Sequence, residues 1–177
     1  MQHDIEFNHA RTDSSNAHQD LYVRDACGTY RPINDDELLR HAKTRAEWRA
    51  LRIKGPLQPK DATELLITRL GALEHEVFTV LFLDTKHRLI AVEDLFRGTV
   101  DGAAVYPREV IKAALKHNAQ ALIVAHNHPS GDPTPSAADR CITTKLQSAL
   151  RLLDIRLLDH IIVAGTKTYR FDDHGLM

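Results

Sequence analysis

Residues 126–139 read HNHPSGDPTPSAAD: two histidines one residue apart, seven residues rich in proline and turn formers, then a serine and an aspartate three apart. Just before them, ALIVA is apolar and β-prone, so a short buried strand is expected to end at His126. Side chains two apart in an extended chain point to the same side. His126 and His128 therefore converge, while Asn127 points the other way. Two such imidazoles can share one ion at the ~2.0–2.1 Å distance of a Zn–N bond. A third ligand has to come from elsewhere, and Asp139 is the candidate. The loop 129–135 folds back and starts a helix near Ser136, with Asp139 one turn inside it. Two histidines and a carboxylate leave one tetrahedral position open to water, the arrangement of a catalytic zinc site rather than a structural one. Each half of the pattern has an ordinary alternative: His-x-His occurs by chance near strand ends, and Ser136-x-x-Asp139 matches a capping box.

Other elements must position these groups. Residues 1–19 hold few bulky apolar side chains and read as a loose tail. LYVRD and GTYRPI, on either side of Gly28, predict a small hairpin, and NDDELLRHAKTRAEWRAL predicts a helix over 35–51 opened by Asn/Asp caps. KGPLQP breaks that helix and reads as a linker, followed by a second helix in KDATELLITRLGAL with Leu65, Leu66 and Leu70 inward. EVFTVLFLD is apolar enough for a strand buried on both faces, and the turn TKHR joins it to an antiparallel partner, LIAVEDLFRG. Pro107 suits the first position of the helix PREVIKAALKHN. After ALIVAH and its loop come a long helix over about 136–152 and the strand RLLDHIIVAG. This alternation predicts an α/β fold, a mixed sheet flanked by helices, over residues 60–177, with a small helical appendage in 1–59. The loops around 98–106 and 129–135 are expected to frame the cleft.

At 177 residues the chain has room for one domain with a core plus that appendage. No apolar run nears the roughly 20 residues that span a bilayer, and the N-terminus lacks the apolar stretch of a signal peptide. Two cysteines, Cys27 and Cys141, make no disulfide framework, so a cytoplasmic setting is expected. Cys141 reads as helix packing, and His160 as a satisfied core or sheet-edge histidine rather than a fourth ligand. The net charge of −1 argues against binding nucleic acid by bulk electrostatics. A local exception is the segment 40–60, with Arg40, Lys43, Arg45, Arg49, Arg52, Lys54 and Lys60 against the single acid Glu47. It is either a solvated helix face or a contact for nucleic acid or an acidic partner.

The joint pattern is more specific than its parts. HNHPSGDPTPSAAD matches the His-x-His-x7-Ser-x2-Asp motif of the JAMM metalloproteases, also called JAB or MPN+ domains. FRGT, YPREV and LLDHIIV resemble the bacterial RadC-like branch in particular, and the resemblance spans roughly residues 60–173. It implies a cytidine-deaminase-like sandwich, a Zn2+ ion held by His126, His128 and Asp139, and Ser136 at the oxyanion of a tetrahedral intermediate. It also implies a glutamate at the start of the first core strand as general base. Glu76 matches that place, with Glu74 and Glu93 as competitors. The implied activity is that of a zinc metallopeptidase, hydrolysing a peptide, isopeptide or related amide bond in a peptide or protein substrate.

The alternative reading is a RadC-like DNA-associated role in repair or on mobile elements, through nucleic-acid binding or nuclease activity. Long members carry a helix-hairpin-helix domain with a Gly-x-Gly turn. Residues 1–60 contain only Gly28 and Gly55, so the chain resembles a short form, which weakens that alternative. Non-catalytic MPN scaffolds lose ligand residues, and all of them are present here.

Overall fold

The computed structural model describes residues 5–6, 21–24, 27–98 and 105–177. The chain separates into two compact units, residues 1–42 and 43–177. In the first, β1 (Ile5–Glu6), β2 (Tyr22–Arg24) and β3 (Tyr30–Pro32) form an antiparallel sheet in that order. Helix α1 (Asp35–Leu51) starts there, its N-terminus capped by Asn34 Oδ1, which accepts from Glu37 N–H at 2.9 Å.

The second unit continues through α2 (Pro59–Leu70), β4 (Val77–Leu83), β5 (Leu89–Arg97), α3 (Pro107–Lys116) and β6 (Ala121–Asn127). It closes with α4 (Ala137–Arg151), β7 (Arg156–Ala164), β8 (Lys167–Arg170) and a single 3-10 turn, Asp172–His174. The strands make one mixed sheet in the order β5-β4-β6-β7-β8, antiparallel throughout except for the parallel pair β6–β7. A parallel pair needs a crossover, and α4 supplies it.

Alternation along the central strands sorts the core into two layers. On β4, Val77, Leu81 and Leu83 pack with Leu65, Leu66 and Leu70 of α2. Phe78, Val80 and Phe82 face the other way, toward Val110 and Ala114 of α3 and Leu146 and Leu150 of α4. On β6, Ile123 and Ala125 join the first layer, Leu122 and Val124 the second. Both strands are buried on both faces, which is why they read as unbroken apolar runs. The mixed sheet flanked by helices is the architecture expected from the alternation of elements.

Some features depart from the sequence reading. The tail is not wholly loose, because Ile5–Glu6 pair with Tyr22–Val23; residues 1–4 and 7–20 lie outside the described residues. KGPLQP is more than a linker: Leu57 is buried in the α2-side core, and its N–H donates to the His87 carbonyl at 2.7 Å. Strand β8 was not anticipated; it follows a turn at Gly165 (φ +63°), and four residues are too few to show periodicity. Cys141 does not pack the helix but is exposed, on the outer side of α4. Of the cleft-framing loop expected around 98–106, residues 99–104 lie outside the described residues.

In the basic segment, Arg49 and Lys60 both pair with Glu64, at 3.4 and 3.8 Å. Arg45 and Arg52 lie over the ring of Trp48. Among the described residues, no helix is long and apolar enough to cross a membrane.

Candidate metal centre

The β-pleat decides which groups meet at the end of β6. His126 stands opposite Phe78 of β4 and Ile162 of β7, so its ring shares the α4-side layer. His128 prolongs the ladder through its N–H, which donates to Val163 O at 2.8 Å. The chain then turns sharply at Gly131, whose φ of +82° suits a residue without Cβ. Asp132 fixes the turn twice: its carbonyl accepts from His128 Nδ1–H at 2.8 Å, and its carboxylate from Thr134 N–H at 2.9 Å. Ser136 follows as the N-cap of α4, bringing the first turn of that helix over the two histidines. The site thus lies at the carboxyl end of the parallel pair β6–β7, where open α/β sheets bind ligands.

There His126 Nε2 is 3.0 Å from His128 Nε2 and 3.1 Å from Asp139 Oδ1. His128 Nε2 is 3.7 Å from Asp139 Oδ2. One tetrahedral ion with bonds of ~2.0–2.1 Å would hold its ligand atoms about 3.3–3.4 Å apart. The three side chains, with ligand atoms all within 4.8 Å of one another, fit such an ion as they stand.

Asp139 plays two parts at once. Its Oδ2 closes a capping box, accepting from Ser136 N–H at 2.7 Å and Ser136 Oγ–H at 2.6 Å, while Asp139 N–H donates back to Ser136 Oγ at 3.1 Å. The capping-box and ligand readings of Ser136-x-x-Asp139 are therefore not rivals, because the cap orients the carboxylate that faces His126. Burial raises the Asp139 carboxyl, but hydrogen bonds from His126 and His128 in their protonated forms, and from Ser136, outweigh it and hold the group far below the usual carboxylate range. The Asp139 bond in turn raises His128 above the usual imidazole value against its burial, with the Asp132 carbonyl and the Glu76 charge adding to the rise.

Behind these three side chains runs a directed chain of hydrogen bonds. The Asp139 carbonyl can only accept, so Thr143 Oγ1–H donates to it at 2.6 Å. The Thr143 oxygen is then left to accept from His160 Nδ1–H at 2.7 Å. His160 is fully buried between the rings of Phe78 and Phe171, and that burial, together with the neighbouring His126, holds its pKa well below the ordinary value. As a neutral ring it accepts at Nε2 from His126 Nδ1–H, 2.9 Å away. When His126 is neutral its lone pair is thereby left on Nε2, aimed at His128 and Asp139. His128, tied through Nδ1 to a carbonyl, likewise presents Nε2. The sequence reading of His160 as a satisfied core residue agrees with this arrangement. It missed Thr143, whose one signal is its place a helical turn after Asp139.

Glu76 lies just before β4 and lines a cavity of about 220 Å³ together with Phe78, Val105, His126, Asp139 and Ile142. Its competitors stand elsewhere. Glu93 is engaged by Lys116 Nζ at 2.9 Å and His117 Nε2 at 2.8 Å, which hold its carboxyl below the usual range. Glu74 is exposed. Ser136 stands at the same site, its hydroxyl hydrogen directed to Asp139.

Fold and site together define an α/β domain with a two-histidine, one-aspartate group able to hold a metal ion. Residues 57–176 match the RadC-like JAB domain, and the chain belongs to that family. It is 52% identical over 141 residues to a UPF0758 protein of Vibrio cholerae, covering 80% of this chain and 89% of the relative. It is 57% identical over 119 residues to a UPF0758 protein of Nitrosococcus oceani, covering 67% of this chain, and spans about half (53%) of that relative's length. A UPF0758 protein of Coxiella burnetii is 54% identical over 129 residues, which cover 72% of this chain and 58% of the relative. These names state no activity.

Proposed function

We propose that this chain is a zinc-dependent hydrolase of the JAMM type, cutting a peptide, isopeptide or related amide bond in a peptide or protein substrate. One observation carries the proposal: Glu76 lines the same cavity as His126 and Asp139, although its competitors Glu74 and Glu93 do not. His126, His128 and Asp139 would hold the zinc ion, which would supply Lewis acidity and lower the pKa of water to about 7. Glu76 takes the proton of the attacking water onto its carboxylate and hands it to the departing amine. Ser136 Oγ–H turns from Asp139 to the developing oxyanion, a charge that the ground state lacks. His126 and His128 keep their Nδ1–H groups bonded away from the cavity, so neither ring competes with Glu76 for the proton. Phe78, Val105 and Ile142 give the cavity apolar walls that limit bulk water around the reacting groups.

The test is a peptide-library cleavage screen on zinc-loaded wild type, chelator-treated protein and Glu76→Gln. Wild type is expected to cleave members of the library, and chelation to stop it. Glu76→Gln keeps the shape of the side chain without its basicity and should lower turnover by about 10²–10⁴-fold. Full activity in Glu76→Gln, or indifference to chelation, overturns the proposal.

A further inference from the structure

We infer that Asn127 is a positioning residue, whose carboxamide fixes the backbone on both flanks of Glu76 and so sets where that carboxylate stands relative to the two histidines. The inference rests on the reading of Glu76 as general base.

Asn127 sits between His126 and His128 in sequence, and the pleat sends its side chain to the opposite face of β6. It is 2% exposed there, and its polar atoms are spent on a single segment of chain. Oδ1 accepts from Val77 N–H at 2.8 Å, and Nδ2 donates to the carbonyls of His75 at 2.9 Å and Leu73 at 3.2 Å. The β4–β6 ladder has its last register pair at Phe78 and His126, so this side chain adds a further rung beyond the end of the ladder. Glu76 lies between the two clamped peptides, and its own carbonyl accepts from Gly98 N–H at 2.9 Å. The stretch from Gly71 to Glu76 belongs to neither α2 nor β4, so it has no regular ladder of its own to hold the glutamate.

The backbone that carries the two histidines thus also grips the backbone that carries Glu76, across fifty residues of sequence. Only an amide does this in one step: it offers an acceptor to an N–H and two donors to two carbonyls. Aspartate keeps the acceptor but turns two donors into repulsion, and alanine removes all three bonds. A displacement of a base by ~1 Å costs on the order of 10²-fold in rate, so loosening this clamp should be felt in chemistry even with the metal ligands intact.

The experiment compares wild type with Asn127→Ala and Asn127→Asp in three measurements on the full zinc-loaded chain: amide exchange at Val77, zinc affinity by chelator competition, and kcat and KM on a cleaved peptide. Asn127→Ala is expected to speed Val77 exchange while Val124, mid-strand in β6, stays protected. Zinc affinity should hold within a few-fold, and kcat should fall about 10²-fold with KM little changed. Asn127→Asp, which can still accept from Val77 N–H but repels the His75 and Leu73 carbonyls, should keep that amide slow and yet lose kcat as well, since only one flank of Glu76 stays held. Unchanged exchange at Val77 in Asn127→Ala, or loosened exchange with unchanged kcat, overturns the inference. So does a loss of zinc affinity that accounts for the loss of kcat, since Asn127 would then act through the adjacent ligands. A wild type that binds zinc but cleaves no peptide sinks the proposed function and the catalytic part of this inference, while Val77 exchange still decides the clamp.

Discussion

His126 Nδ1 and His160 Nε2 stand 2.9 Å apart in the buried layer beneath α4, and Thr143 Oγ1 stands 2.7 Å from the far nitrogen of His160. The direction of every bond in that chain follows from the Asp139 carbonyl at its end, which can only accept. Thr143→Val keeps the side-chain shape but removes the hydroxyl, leaving His160 Nδ1–H without a partner and His126 without a fixed tautomer. Zinc affinity is expected to fall by about 10–100-fold, the usual cost of losing a group that orients a ligating histidine. Stability should drop by about 1–3 kcal/mol from the stranded donor. Chelator competition and denaturant titration measure the two effects; unchanged zinc affinity would show that His126 is oriented without Thr143.

Ser136 both caps α4 and holds Asp139 Oδ2, so Ser136→Ala should act on two levels. Loss of the cap is expected to cost about 1 kcal/mol of stability. Because the Asp139 carboxylate also loses its anchor, zinc affinity should fall as well, whereas a residue acting only on the oxyanion would leave affinity alone. Calorimetric titration of the apo protein with zinc separates the two roles.

Away from the site, Arg69 links α1, α2 and β5: Nε donates to Asp94 Oδ1 at 2.9 Å and a terminal nitrogen donates to Glu47 at 2.8 Å. Thr79 Oγ1–H adds a third contact, to Asp94 Oδ1 at 2.7 Å. Burial raises the Asp94 carboxyl, but the bonds from Arg69 and Thr79 outweigh it and leave the group below its ordinary value. A carboxyl with a depressed folded pKa stabilises the fold above its unfolded value, and that stabilisation is lost as pH falls through the folded one. Asp94→Asn should therefore cost on the order of 1 kcal/mol at neutral pH, since the pair is partly solvated, and the gap to wild type should close below about pH 4. Urea unfolding at pH 7 and pH 3 checks this; a gap that widens in acid contradicts it.

How much of this was legible in the sequence differs by element for physical reasons. β4 and β6 could be read because burial on both faces leaves an apolar run no loop would tolerate, and α4 because Ser136 and Asp139 mark its start. His126, His128 and Asp139 lie within fourteen residues, so local strand and turn chemistry suffices to bring them together. Glu76 was harder. No local pattern encloses it, and what sets it apart as the proposed base is its place on one cavity with His126 and Asp139, while Glu93 is engaged by Lys116 and His117. Asn127 and Thr143 stayed out of sight as polar partners because their bonds reach fifty and seventeen residues away. β1 and β8, two and four residues long, are too short to carry a period, and pairing alone defines them.

The most direct test of the account is the metal content of the purified protein, measured by elemental analysis on wild type, His128→Ala and Glu76→Gln. A site built from His126, His128 and Asp139 predicts one zinc per chain in wild type and in Glu76→Gln, and loss of the metal in His128→Ala with the fold retained. A wild type that takes up no zinc, or a His128→Ala protein that holds it as tightly as wild type, would contradict it.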